Sequence, residues 1–390
     1  MSNRKLASIQ NIVELIPITG KDKIVLATLC NGWKVIVSKD NYKLYDIVVY
    51  FEIDSILPDI PVFEFLKKRS NNMRIRTMKM GGVISQGLCI TIPEAQTVAK
   101  ELGTVLPENL KLNDDLTEVL KVGKYEEDEI NRTTTPKYNK FEKFMMKFGW
   151  YRILDKMFIH RKGPATTWPQ IGLSKTDEDR WQTMTDKIAE WKEHGLTFDK
   201  TVKMDGQSAT FILKRNTGWF KPTYEFMVCS RNARLNPSDA TKQAFFDTAK
   251  KYKIEELLIS FVEDTAKHIL KDAEWVAIQG EQCGPKIQSN RIGLTENKLY
   301  VFNIKYKIAN DPVTKSINPE VYKKYMYDFS NLETVPYLGN ELLPDDFDKD
   351  SFGYYDESKK LLREGVVYRN YEHGISFKAV SPEYLAKHGC

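Results

Sequence analysis

Lys203-Met204-Asp205-Gly206 sets an amine two positions before a carboxylate and three before a glycine, at the end of the apolar run Thr201-Val202. A lysine amine attacks electrophiles when neutral, but with an ordinary pKa of about 10.4 it needs positive charge nearby to shed its proton at neutral pH. If the run is a strand, Lys203 and Asp205 share a face because side chains alternate. Gly206 then permits a tight turn beside a ligand. A surface lysine at a hairpin fits this four-residue pattern equally well.

What adds weight is the ordered company downstream: Ser230-Arg231, Gly280-Glu281, Phe302, Glu364 and Lys378. All but Phe302 are polar residues in, or ending, apolar strand-like runs, and charges rarely point inward from sheets unless paired or facing a ligand. Singly, Glu281 and Glu364 read as edge-strand carboxylates and Phe302 as core. A second cluster, Lys67, Lys68, Arg69, Arg74, Arg76 and Lys79, crowds a segment without acids. It reads as a solvated loop or as a phosphate-binding face.

The elements that must position these groups follow from the rest of the chain. At 390 residues and 45.2 kDa it exceeds one ordinary core, which favours two domains. Net charge is +5, with 28% charged and 42% hydrophobic residues, an ordinary globular balance that mildly favours an anionic partner. The N-terminus lacks the apolar core of a signal peptide and no stretch matches a membrane span, so a soluble protein of the cytoplasm or another intracellular compartment is expected, with no membrane partner. Five scattered cysteines without a CxxC pair, and five histidines without HExxH spacing, suggest neither disulfides nor a zinc site.

Residues 12–93 alternate β-rich runs with turns, "IVELIPI", "KIVLATL", "WKVIVS", "DIVVYFEI" and "VISQGLCITIP", which suggests a small barrel. Asn31-Gly32 signals a type I′ hairpin. Residues 119–140 pass from acids to a threonine-proline stretch, the expected linker, followed by a short amphipathic helix with Phe141, Phe144, Met145 and Phe148 on one face. A further helix is expected with Thr176 or Asp177 near its N-cap and Gly195 as its stop. The remainder mixes helices with antiparallel strands, an α+β domain. The expected division is a small barrel domain at 1–125, a linker with helical connection at 126–165, and the chemistry-bearing domain at 166–390.

The series "KMDG", "SR", "GE", "VFNI", "EGVV" and "SFK" resembles the collinear motifs of covalent nucleotidyltransferases, the superfamily of ATP-dependent ligases and capping enzymes. With "MKMGGVISQGLCI", "SKTDEDR" and "QGEQCGPKIQSNRIGL" added, the chain resembles ATP-dependent RNA ligases with an N-terminal OB domain, the Deinococcus and Naegleria type. That resemblance implies an N-terminal all-β OB-type barrel followed by an α+β nucleotidyltransferase domain, an ATP-grasp-like adenylylation fold with antiparallel sheets. Only 390 − 378 = 12 residues follow Lys378, so the C-terminal OB domain of DNA ligases and capping enzymes is not expected. One position departs: the family often has a second lysine where Ser376 stands, so Lys378 acts with less help or another cation supplies the charge.

The resemblance also assigns roles. Lys203 is the nucleophile that takes AMP from ATP, with Val202 beside it in the nucleotide pocket, Lys378 and Lys175 on the phosphates, Phe302 stacked on adenine and Glu281 near the ribose. Lys175 is not the nucleophile, because Glu178 stands where its motif would need glycine. Asp205, Glu281 and Glu364 hold Mg²⁺ or Mn²⁺ through water. Arg231 joins Lys203 and Lys378 in catalysis and touches nucleic acid, as do Arg74, Arg76 and Lys79 on the barrel. The implied partner is RNA with 3′-OH and 5′-phosphate ends in a nicked duplex, acted on by a monomer. Removing residues 1–125 is expected to spare self-adenylylation and cripple sealing. A capping-type guanylyltransferase and an inactive OB-type binder are the alternatives.

Overall fold

The computed structural model describes residues 4–67, 72–125, 167–216, 223–263, 270, 273–285 and 287–388. The expected linker at 126–165, the helix bearing Phe141 to Phe148, and Lys68, Arg69 and Cys390 lie outside the described residues. No helix among the described residues is long and apolar enough to cross a membrane.

Strands β1 (Ala7–Ile18), β2 (Lys21–Leu29), β3 (Lys34–Ser38), β4 (Ile47–Phe51) and β5 (Leu88–Thr91) form one antiparallel sheet in the order β3-β2-β1-β4-β5. This is the OB-type half-barrel, and its strands are the β-rich runs of the sequence. The β2–β3 connection is a hairpin, but not a type I′ turn. Only Gly32 has positive φ (+85°), whereas type I′ needs it at both central residues. Gly32 N–H bonds Leu29 O at 2.8 Å, and a Cβ on Gly32 would come within 2.7 Å of the Trp181 ring. The turn is therefore set by the second domain packing against it.

That domain holds β6 (Asp179–Arg180), α1 (Thr185–Glu193), β7 (Thr197–Lys203), β8 (Gln207–Asn216), β9 (Thr223–Ser230), α2 (Gln243–Lys251), α3 (Ile254–Glu263), β10 (Ala273–Cys283), β11 (Lys298–Ile308), β12 (Tyr337–Leu342), β13 (Gly365–Asn370), β14 (Ile375–Val380) and α4 (Pro382–His388). One sheet runs β6-β14-β13-β7-β12, the other β9-β8-β10-β11 with Lys315–Ile317 at its edge. Helices α2 and α3 bury Phe245, Leu257, Leu258 and Phe261 against Phe211, Leu213, Val276 and Ile278 of the second sheet. α1 ends near Gly195 as expected, but it begins at Thr185 rather than at Thr176 or Asp177. The acids before it are held elsewhere: Asp179-Arg180 pairs in parallel with Phe377-Lys378, and Asp177 and Glu178 meet basic partners.

The core of the first sheet, built on Ile9, Ile12, Trp33, Tyr50, Phe51 and Phe63, is completed by Val380, Tyr384 and Leu385 from the far end of the chain. Lys34 also bonds Asp348 at 3.0 Å. Deleting residues 1–125 would bare those apolar side chains, each stabilising the fold by about 1.5–3 kcal/mol when buried. Self-adenylylation by the truncated chain, as well as sealing, is therefore expected to be weakened.

Candidate active site

β7 lies in one sheet and β8 in the other, so Met204-Asp205-Gly206 is the crossing between them. The backbones meet so closely there that a Cβ on Gly206 would stand 2.7 Å from Cys283 Sγ. Gly365 does the same beside Glu364: its φ is +155°, and a Cβ would lie 2.9 Å from Val380 Cα. The glycines of these two motifs thus let charged neighbours converge from separate strands. Val202, Met204, Cys283, Tyr300, Phe302 and Val335 form the apolar floor between the sheets.

Lys203 Nζ donates to Glu364 Oε2 at 2.7 Å, and both side chains are about four-fifths buried, at 22% and 19% exposure. Burial alone would lower the lysine's pKa, but Glu364, Glu281 and Glu178 outweigh it and hold the ammonium above its ordinary value. Lys378 goes the other way: burial, then Lys203 and Arg180, push it down to about 8 against the pull of Asp177 and Glu178. Glu281 is pushed up to about 8 by burial, and Glu364, Glu178 and Asp205 add to this against the opposing effect of Lys203.

Asp205 does not share the lysine's partner. β7 stops at Lys203, so strand alternation does not extend to it, and its Oδ2 accepts from Tyr384 Oη at 2.6 Å and Arg291 Nη1 at 3.5 Å. Phe302 reaches the site through a bulge: Gln279 pairs with Asn303 but Gly280 with Val301, which leaves Phe302 as the extra residue. The Arg369 guanidinium lies 5.1 Å from its ring centre and bonds Glu178 at 2.6 Å. Arg231, half exposed, bonds Asp177, whose other oxygen lies 3.9 Å from Lys378. Lys175 is half-buried on the same segment. Val202, Glu281, Phe302, Glu364 and Lys378 therefore gather around Lys203, Arg231 reaches the group through Asp177, and Lys175 lies two residues before Asp177 on the same segment.

Three participants escaped the sequence reading. Arg180 pairs in the ladder with Lys378, its guanidinium lies over Trp33 of the first sheet at 5.8 Å, and its charge is felt at Lys378. Arg369, 4% exposed in an apolar strand, meets the same criterion that picked out Glu364 and was findable. Tyr355 donates to Lys203 O at 2.6 Å and accepts from Glu364 N at 3.1 Å, which no sequence signal announced. On the barrel, Arg76 and Lys79 are exposed, whereas Arg74 is committed to Asp54 at 2.6 Å and to the Tyr125 ring at 3.6 Å.

Among the described residues no three Asp, Glu, His or Cys side chains converge closely enough to ligate one ion directly. Asp205 and Glu364 nonetheless add to the cost of ionising Glu281, an arrangement suited to a divalent cation that keeps its waters. A stability test follows. Glu281 in the unfolded chain ionises near 4.5 and in the fold at about 8, so metal-free protein loses stability as pH rises across that window. Glu281→Gln lacks that loss. Its metal-free Tm is expected to exceed wild type at pH 7.5 by more than at pH 4.5, and an equal offset at both pH values would contradict the assignment.

Residues 198–380 match the RNA ligase family model, and residues 6–92 match an OB-fold domain model. No curated protein matches the chain. Among solved structures, a lysine-to-alanine variant of Naegleria gruberi RNA ligase with ATP and Mn is 27% identical, with a TM-score of 0.70 over 98% of this chain and 99% of that one. A glutamate-to-alanine variant with AMP and Mn is 26% identical, TM-score 0.69, over 99% of each chain. The same ligase with PPi matches at 26% identity and TM-score 0.69, again over 99% of each.

Proposed function

From the match of residues 198–380 to the RNA ligase family model, we propose that the chain is an RNA ligase that seals RNA 3′-OH and 5′-phosphate ends through a lysyl-AMP on Lys203. The observation that carries this reading is Lys203 Nζ at 2.7 Å from Glu364, with Lys378 and Glu281 in the same buried group. In the first step the neutral amine attacks the α-phosphorus of ATP. The bond to the bridging oxygen breaks, and pyrophosphate leaves with that electron pair. The 5′-phosphate of the RNA then displaces Lys203 from AMP, and attack by the 3′-OH on that phosphate expels AMP.

Each side chain has a part in this. Glu364 accepts a hydrogen bond from the ammonium and keeps Nζ aimed into the site until the amine is released. Lys378, Arg180 and Lys175 meet the negative phosphates, and Phe302 offers its face to adenine. Asp205, Glu281 and Glu364 would hold Mg²⁺ or Mn²⁺ through water, and that ion supplies the positive charge that favours the neutral amine and offsets the phosphates. Arg231, poised on Asp177, can change partners to a phosphate of the RNA. Action as a monomer is part of this proposal.

Of Arg74, Arg76 and Lys79 on the barrel, Arg76 and Lys79 are open to RNA, and Arg74 serves as an internal clamp. Converting both to alanine is expected to weaken RNA binding and to reduce the salt slope by about 0.7–0.9 per lost phosphate contact. An unchanged slope in a filter-binding titration would remove them from the interface. We further propose a nicked duplex as substrate, with RNA at the 3′-OH side, whose 2′-hydroxyl a protein can read. Nicks with RNA or DNA on each side in turn test this. An all-DNA nick sealed as fast as the RNA one would contradict it.

A further inference from the structure

We propose that Tyr384 is a positioning residue for Asp205, through which the C-terminal helix ties the first sheet's core to the metal-binding carboxylates. This deepens the ligase reading and rests on its assignment of Asp205 to a metal-bound water. Tyr384 is 2% exposed, and its ring belongs to the same apolar core as Trp33, Tyr50 and Phe51. Its hydroxyl leaves that core at the opposite end and donates to Asp205 Oδ2 at 2.6 Å. Arg291 reaches the same oxygen at 3.5 Å, bonds the Tyr384 hydroxyl at 3.0 Å, and lies 5.6 Å from the tyrosine ring centre.

Asp205 sits past the end of β7, in a crossing where the backbone ladder no longer fixes side-chain direction. Two donors from separate parts of the chain do that instead, and both fall on Oδ2. Oδ1 is thereby kept for a water on the ion. A ligating carboxylate gains from such outer partners because a fixed orientation leaves less freedom to lose when the ion binds. The ring and the hydroxyl have different duties, so they can be separated: Tyr384→Phe keeps the core and removes only the donor.

The test is Mn²⁺ alone, titrated into the full-length chain and followed by loss of the free-ion EPR signal. Tyr384→Phe is expected to raise the Mn²⁺ Kd about tenfold, in the range seen for outer-sphere partners. Asp205→Ala should raise it at least as much. The double variant should be no weaker than Asp205→Ala, since Tyr384 acts only through that carboxylate. Wild-type affinity in Tyr384→Phe, additive losses in the double variant, or no saturable Mn²⁺ binding by wild type would each overturn the proposal. Should Tyr384→Phe fail to fold, Arg291→Met removes the other Oδ2 donor, with a smaller weakening expected and unchanged affinity overturning the proposal. Failure of wild type to take up AMP is a separate result. It would sink the ligase reading and leave the Mn²⁺ titration standing.

Discussion

Lys203→Arg and Lys203→Ala are both expected to take up no AMP from α-labelled ATP. The arginine variant carries more information, because a guanidinium stays protonated at any working pH and so cannot attack phosphorus, yet it can still pair with Glu364. Loss of labelling in a folded Lys203→Arg protein therefore reports chemistry rather than collapse of the charged cluster. Labelling of either variant at the wild-type level would show that Lys203 is not the nucleophile.

The second large effect is at Lys378. Lys378→Ala is expected to slow adenylylation on the order of 10²–10³-fold, since it removes a buried cation aimed at the phosphates. Its pH dependence is equally telling. Lys203 must lose a proton and Lys378 must keep one, and burial, Lys203 and Arg180 have pushed Lys378 down to about 8. kcat/KM for ATP, which reports the free enzyme, should climb with pH to about 8 and then level off. Above that point each gain in neutral Lys203 is cancelled by loss of charge at Lys378. In Lys378→Arg the cation no longer titrates, so the climb should continue past pH 8. A plateau at the same pH in wild type and Lys378→Arg would assign it to another group.

Much of this site was legible in the sequence, because its members are charges inside apolar strands. Glu281, Glu364 and Lys378 announced themselves in that way, and Lys203 gained meaning from them. The barrel was legible for a related reason: its runs are short, β-branched and separated by turn residues. What stayed hidden depends on contacts between distant segments. Strand alternation placed Asp205 beside Lys203, but β7 ends at the lysine, and Tyr384, 179 positions away, sets the carboxylate's direction. The bulge that turns Phe302 inward leaves no mark on local periodicity. Arg74 looked like one more base in a basic loop, and only the fold brings Asp54 and Tyr125 against it. Likewise the acids at 177–178 resembled a helix start because the arginines that claim them, Arg231 and Arg369, lie far along the chain.

The most direct measurement is to incubate the full-length wild-type protein with Mn²⁺ and either α-labelled ATP or α-labelled GTP, and to map the labelled peptide. The account requires label from ATP and not GTP, carried on the peptide containing Lys203. Label from GTP would point to a capping-type guanylyltransferase, label on Lys175 would move the nucleophile, and no covalent label from either nucleotide would contradict lysine adenylylation altogether.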